Sequence, residues 1–381
     1  MPPTDASTLE PAIRAALAGV NDPEIRKPIT ELGMVESVVV APDGGVTVGV
    51  LLTVPGCPMK EQLTRDVTAA VAAVDGVASV SVNLGVMTDA QRGELRTTLR
   101  GDAPANEIPF AQPGSRTRVY AVASGKGGVG KSSVTVNLAA ALAARGLSVG
   151  VLDADIYGFS VPRMLGVEGK PTQVDQMIMP PIAHDVKVIS IGMFTPGNTA
   201  VVWRGPMLHR ALQQFLADVF WGDLDVLLMD LPPGTGDIAI SVAQLVPTAE
   251  LLVVTTPQLA AREVAERAGS IALQTHQQIV GVVENMSWYE QADGTRVELF
   301  GSGGGQAVAD SLARSMGAAV PLLGQVPIDQ AVREGGDDGT PVVLAHPESA
   351  AAQALQGVAD ALAARSRSLV GRSLGLTPTG R

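Results

Sequence analysis

The sequence predicts an α/β protein: a mostly parallel, doubly wound sheet, preceded by a smaller α/β unit of order αββαβ. Three observations predict it. From Arg118 onward, apolar strand-like runs alternate with helical ones, as a parallel sheet buried on both faces requires. Before residue 100, two β-branched runs are separated by Asp-Gly-Gly, a hairpin signal, and helical spacing flanks them. The length of 381 residues exceeds one ordinary domain.

In the small unit, residues 1–95, TLEPAIRAALAGV reads as an amphipathic helix. MVESVVVAP and GVTVGVLLTV are the hairpin strands, MKEQLTRDVTAAVAAV returns to helical spacing, and GVASVSVNLG alternates as a strand should. Residues 96–116 are rich in Pro, Gly and polar residues and read as a linker. Ile108, Pro109 and Phe110 leave a second reading open, a short docking segment. Residues 117–365 carry the large unit, with strands at RVYAVAS, LSVGVLD, VKVISIG, DVLLMD, AELLVVTT, IVGVVEN and VPLLGQVP. Residues 366–381 read as a flexible tail.

Composition narrows the function classes. Hydrophobic residues make up 46%, enough for a sizeable core, and with 3% aromatics that core is built mainly of Ala, Val and Leu. A net charge of −11 argues against broad nucleic-acid binding, which needs dense Lys and Arg. The start lacks the charged and apolar regions of a signal peptide, and no stretch is apolar enough to span a bilayer. One cysteine excludes an internal disulfide and fits a reducing, cytoplasmic setting.

Residues 125–132, GKGGVGKS, match G-x-x-x-x-G-K-[ST] between a strand and a helix. Gly125, Gly127, Gly128, Val129 and Gly130 let successive N–H groups turn toward a phosphate. The helix that opens at Lys131, Ser132 and Ser133 adds its positive N-terminus. Lys131 reaches the β- and γ-phosphates of ATP, and Ser132 ligates Mg²⁺. Two acidic motifs end strands where ligands gather in such sheets. Asp230, in DLPPGTGD, fits the acid that holds Mg²⁺ through water; Asp155, in LDAD, fits a group that orients the attacking water, or else a helix N-cap. Gly234 and Gly236 suit a loop that switches, or simple turn chemistry.

Lys126 is not required by an ordinary phosphate loop, and alone it reads as a solvated charge. GKGGVGKS as a unit, however, resembles the deviant Walker A motif of the P-loop class that includes MinD, ParA and nitrogenase iron protein. The resemblance implies a nucleotide-dependent homodimer in which Lys126 reaches the partner's phosphates. DADIYGFSVPRMLG, WRGPML, DLPPGTGD, TTPQLA and VENMS together resemble the Mrp/ApbC group of ATP-dependent iron–sulfur cluster carriers. DPEIRKPITELGMV and LLTVPGCPM resemble the metal–sulfur cluster assembly domain of the SufT and PaaD type. The resemblance implies ATP hydrolysis, assembly factors or apoprotein clients as partners, and a base site at Asn285 and Pro327; turns are the alternative for both residues.

One departure is sharp. Typical carriers place a C-x-x-C pair after ENMS, whereas ENMSWYEQADGTRVELFGSGGG has no cysteine and reads as a hairpin with Asp-Gly at its tip. The usual ligands of a [4Fe–4S] cluster are absent. Cys57 is the one thiol, either reactive near a helix N-terminus or a small buried hydrophobe. His184, His209, His276 and His346 show no ligand spacing, and GSGGG at 301–305 reads as a flexible entry to a helix. The functional expectation is an ATPase that binds or carries iron–sulfur clusters. The alternatives are a cluster-free, ATP-dependent switch or scaffold, and a MinD/ParA-like positioning ATPase on membrane or DNA.

Overall fold

The computed structural model describes residues 6–54, 59–100, 107–112, 114–155, 158–194, 205–234, 237–258, 261–291 and 293–365. Cys57, Gly236 and the expected tail lie outside them. The small unit forms α1 (Ala6–Leu17), β1 (Val35–Val40), β2 (Gly45–Leu52), α2 (Lys60–Ala72), β3 (Ser79–Val86) and α3 (Asp89–Arg100). Its sheet has the order β1-β2-β3, antiparallel then parallel. The helix α3 was not expected after the αββαβ order. Its mostly charged and polar stretch DAQRGELRTTLR buries Leu95 alone, so periodicity was weak. It runs on through residues 96–100 of the stretch read as a linker.

The large unit continues with β4 (Arg118–Ala123), α4 (Lys131–Ala144), β5 (Val149–Asp153), α5 (Val161–Met164), β6 (Thr172–Val174), β7 (Met177–Met179), β8 (Ile182–Ala183) and β9 (Val186–Ser190). Then come α6 (Gly205–Ala217), β10 (Val226–Asp230), α7 (Asp237–Leu245), β11 (Glu250–Thr255), α8 (Ala261–Thr275), β12 (Ile279–Glu290) and β13 (Arg296–Val297). α9 (Gly304–Met316), β14 (Leu322–Ile328), α10 (Gln330–Asp338), α11 (Val342–Ala345) and α12 (Ala350–Ala364) complete it. The strand order is β13-β12-β11-β4-β10-β5-β9-β8, with β14 also on β12. Only β8 and β13 run antiparallel to their neighbours.

Alternation along β4 shows why the strands read as continuous apolar runs. Val119 and Ala121 join the core beneath α6 to α9, while Tyr120 and Val122 join the core beneath α4 and α12. α4 is buried from Val134 through Ala143, so every face of it is covered, with Thr135 and Asn137 the polar exceptions in a mostly apolar stretch. Among the described residues no helix is long and apolar enough to cross a membrane.

The two units share apolar contacts. Val174, Met177 and Met179 of the β6–β7 hairpin, with Phe220, pack into the core of the small unit beside Leu9, Ile13 and Leu63. Two ion pairs flank this plug, Arg96–Asp175 and Arg26–Asp185, each at 2.8 Å. Between the units, Pro109–Ala111 form a 3₁₀ turn that docks. Phe110 is 2% exposed and meets Trp221 edge-on, with ring centroids 6.3 Å apart.

Gly301–Gly305 differ from the flexible entry expected. Gly304 and Gly305 already belong to α9 and are buried. A Cβ on Gly304 would sit 2.4 Å from the Pro257 carbonyl oxygen, and one on Gly305 2.6 Å from Glu284 Cβ. Close approach explains Gly304 and Gly305, whereas Gly301 and Gly303 hold φ of 83° and 77°, where glycine's freedom is needed.

Candidate nucleotide site

The register of the central strands builds the site. Asp230, last residue of β10, lies beside Val122 of β4 on one side and Asp153 of β5 on the other. The loop 124–130 leaves β4 at this same end and turns into α4. Gly128 and Gly130 hold φ of 77° and 76°, the left-handed region that favours glycine. At Gly130 the need is also steric, because a Cβ would lie 2.3 Å from Asn285 Nδ2. Val129 anchors the loop in the core, while Gly127 is exposed.

Asp230 is the hub. Lys131 Nζ lies 2.7 Å from its Oδ2, and Ser132 Oγ donates to the same oxygen at 2.6 Å. Thr135 Oγ1 donates to Oδ1 at 2.8 Å. Thr135 was not singled out from the sequence, though its place one turn beyond Lys131 aims it the same way. Asp153, the other acid of LDAD, ends β5. Burial, then the charge of Asp230, pushes its pKa up to about 8, against opposing contacts from the Asp155 amide, Ser190 and Lys131. Ser190 Oγ donates to Asp153 Oδ2 at 3.1 Å, and the Asp155 amide to Oδ1 at 3.1 Å. Asp155 is buried and accepts from the Gly158 amide at 3.1 Å; α5 begins only at Val161, after Ser160, so Asp155 caps no described helix.

Lys126 donates to Gln258 Oε1 of its own chain at 2.5 Å, a partner the sequence did not suggest. Asn285 is buried and its Nδ2 donates to the Val129 carbonyl at 2.9 Å, tying β12 to the phosphate loop. A cavity of about 420 Å³ brings Asn285 and Pro327 together with Gly130 and Ser133, walled further by Arg163 and Arg333. The expected residues of the loop, the acid at β10, and Asn285 with Pro327 therefore share one end of the sheet. The hairpin expected after ENMS exists as β12 and β13, with Tyr289 opposite Val297 and Glu290 opposite Arg296. Among the described residues no group of three or more His, Cys, Asp or Glu is placed to hold a metal ion.

The family described as NUBPL iron-transfer P-loop NTPases matches residues 115–363, and the family described as iron–sulfur cluster assembly protein matches residues 10–83. A protein of Mycobacterium tuberculosis named iron-sulfur cluster carrier protein is 67% identical over 373 residues, 98% of each chain. One of the same name from Deinococcus radiodurans is 45% identical over 355 residues, 92% of this chain and 94% of its own. Among solved structures, a nucleotide-binding protein from Archaeoglobus fulgidus in complex with ADP is 37% identical with a TM-score of 0.51, covering 59% of this chain and 87% of its own. With a matching family over most of the chain and a relative aligned from end to end, the protein belongs to the NUBPL iron-transfer P-loop NTPases.

Proposed function

We propose that this chain binds ATP with Mg²⁺, hydrolyses it as a homodimer in the cytoplasm, and uses that cycle to carry iron–sulfur clusters to apoproteins. The observation that carries the reading is the meeting of Lys131, Ser132, Thr135 and Asp230 at one sheet end, beside the cavity of Asn285 and Pro327. The backbone amides of the glycine loop cradle the phosphates, and Lys131 neutralises their charge. Asn285 and Pro327 flank the base. Ser132 and Asp230 offer a hydroxyl and a carboxylate, the hard oxygen donors that suit Mg²⁺, so these residues fit the ion and would hold it. Bound there, Mg²⁺ supplies charge neutralisation at the β- and γ-phosphates. Asp155 orients the attacking water. Lys126 leaves Gln258 to reach the partner's phosphates.

The names of the relatives and the assembly family at residues 10–83 support the cargo. The chain has one cysteine, so a dimer supplies two thiolates where a [4Fe–4S] cluster asks for four. A donor or client protein completes the set. Anaerobic reconstitution of wild type and Cys57→Ala, alone and with a donor protein, followed by iron and sulfide assay, tests this. Cluster held by wild type and lost in Cys57→Ala is the expected result; none under any condition removes direct carriage.

A second reading, a cluster-free ATP-dependent scaffold for assembly factors, draws on one observation. The β12–β13 hairpin holds Arg296 stacked 4.4 Å from the Trp288 ring and facing Glu290 at 3.7 Å, with no thiol. ATP-dependent capture of assembly factors by the reconstitution-negative protein would select it.

A further inference from the structure

A second cavity, of about 540 Å³, lies at the amino ends of β5 and β9, away from the phosphate loop at the carboxyl end of β4. Its size is that of a small-molecule site. Both units and the segment between them wall it: Arg26 and Arg100 from the small unit, Glu107 and Pro109 from the joining segment, Lys187 and Trp221 from the large unit. None of these residues belongs to the nucleotide crevice.

Two cations, one buried and one half-buried, define its chemistry. Lys187 is only 7% exposed. Its Nζ donates to the Trp221 carbonyl at 2.8 Å and the Phe220 carbonyl at 3.4 Å, and lies 4.7 Å from the centroid of the Phe220 ring. Burial, then Arg26, pushes its pKa down to about 8, with Asp223 opposing. Arg100 Nη2 donates to the Ala217 carbonyl at 2.6 Å, and burial lowers its pKa against the pull of Asp218. Both cations therefore rest on neutral oxygens of one short stretch, 217–221. Among the described residues neither has a carboxylate within ion-pair distance. Of the three acids in the wall, Glu107, Asp185 and Asp223, Asp185 is already paired with Arg26. Lys27 adds a fourth cation.

The backbone is strained at the same seam. Arg26 and Asp185, the two members of one ion pair between the units, hold φ of 60° and 62°; Asp175, paired with Arg96, holds 54°. Left-handed non-glycine residues are unfavourable by roughly 1–2 kcal/mol each and cluster where a ligand or a switch needs them.

We propose that this cavity binds a small organic anion, a carboxylate on an apolar body, whose carboxylate pairs with Lys187 and Arg100 and whose body packs on Trp221, Pro109 and Leu99. Such a ligand replaces carbonyl contacts of a buried and a half-buried cation by ion pairs. It touches both units, so its occupancy favours their docked arrangement.

The test uses the full chain and 4-fluorobenzoate, followed by fluorine NMR line broadening and calorimetry. Saturable binding of one molecule per chain is expected, with no binding of 4-fluorobenzylamine, the cation of the same shape. Lys187→Met and Arg100→Gln should each weaken binding at least tenfold while ATP affinity is unchanged. Because Lys187 is buried and its replacement can unfold the chain, Arg100→Gln is the deciding variant. The proposal fails if no saturable binding is seen, if the amine binds equally, or if Arg100→Gln leaves affinity unchanged. Displacement by inorganic phosphate at equal concentration overturns the apolar-body requirement. None of these readouts depends on ATP turnover or on a cluster.

Discussion

Lys131 and Asp230 form a buried ion pair at 2.7 Å, with side chains 6% and 1% exposed. The lysine proposed for phosphate and the acid proposed for the metal are thus held together by the protein itself. Replacing Lys131 by alanine leaves Asp230 a buried charge supported only by two hydroxyls. Lys131→Ala should therefore lose tight ATP binding and also about 3–5 kcal/mol of stability. Calorimetric titration and denaturant melts measure the two effects separately.

Thr135 holds the other oxygen of Asp230. Thr135→Val keeps the shape and removes the hydroxyl donor. A loss of about 1–3 kcal/mol is expected, seen as reduced stability and slower ATP turnover. A conservative Thr135→Ser should restore most of the turnover; failure of serine to do so would reject the hydrogen bond as the cause.

Lys126 rests on Gln258 at 2.5 Å. A lysine that acts across a dimer has to leave that contact. Lys126→Ala should spare most ATP binding and slow hydrolysis at least tenfold, whereas Gln258→Ala, which frees the lysine, should retain or raise turnover. Steady-state rates at varied protein concentration decide it. Unchanged turnover in Lys126→Ala ends the trans assignment.

Glu24 provides a pH probe remote from the nucleotide. Burial, then Asp22, pushes its pKa up from 4.5 to about 7. Between those values the folded chain keeps a proton that the unfolded chain has lost, so stability falls as pH rises from about 4.5 to 7. Glu24→Gln resembles the protonated form. It should add about 1–3 kcal/mol at pH 8 and almost nothing near pH 4.5, measured by urea melts at both pH values.

What the sequence made legible was local and repetitive. The seven long strands of the large unit are continuous apolar runs, and GKGGVGKS carries its own context between β4 and α4. Asp230 stood out because it ends such a strand. The hairpin β6–β7 was not, because three-residue strands give no period, and Val174 and Met177 bury against a unit far away in the chain. Thr135 and Gln258 were missed for a related reason: their partners lie 95 and 132 residues distant. Gly304 and Gly305 read as slack from composition, and only the Pro257 and Glu284 contacts reveal them as tightly packed.

The plug formed by Val174, Met177 and Met179 has a consequence for how the chain melts. Severing the chain after residue 116 would leave the small unit with an open apolar socket and the large unit with an oily prong in water. Removing even one such side chain, as in Met177→Ala, deletes about 2–5 kcal/mol of contact from both at once. Two sheets that divide one apolar interior between them lose it together, so heat should unfold them in a single calorimetric transition rather than two.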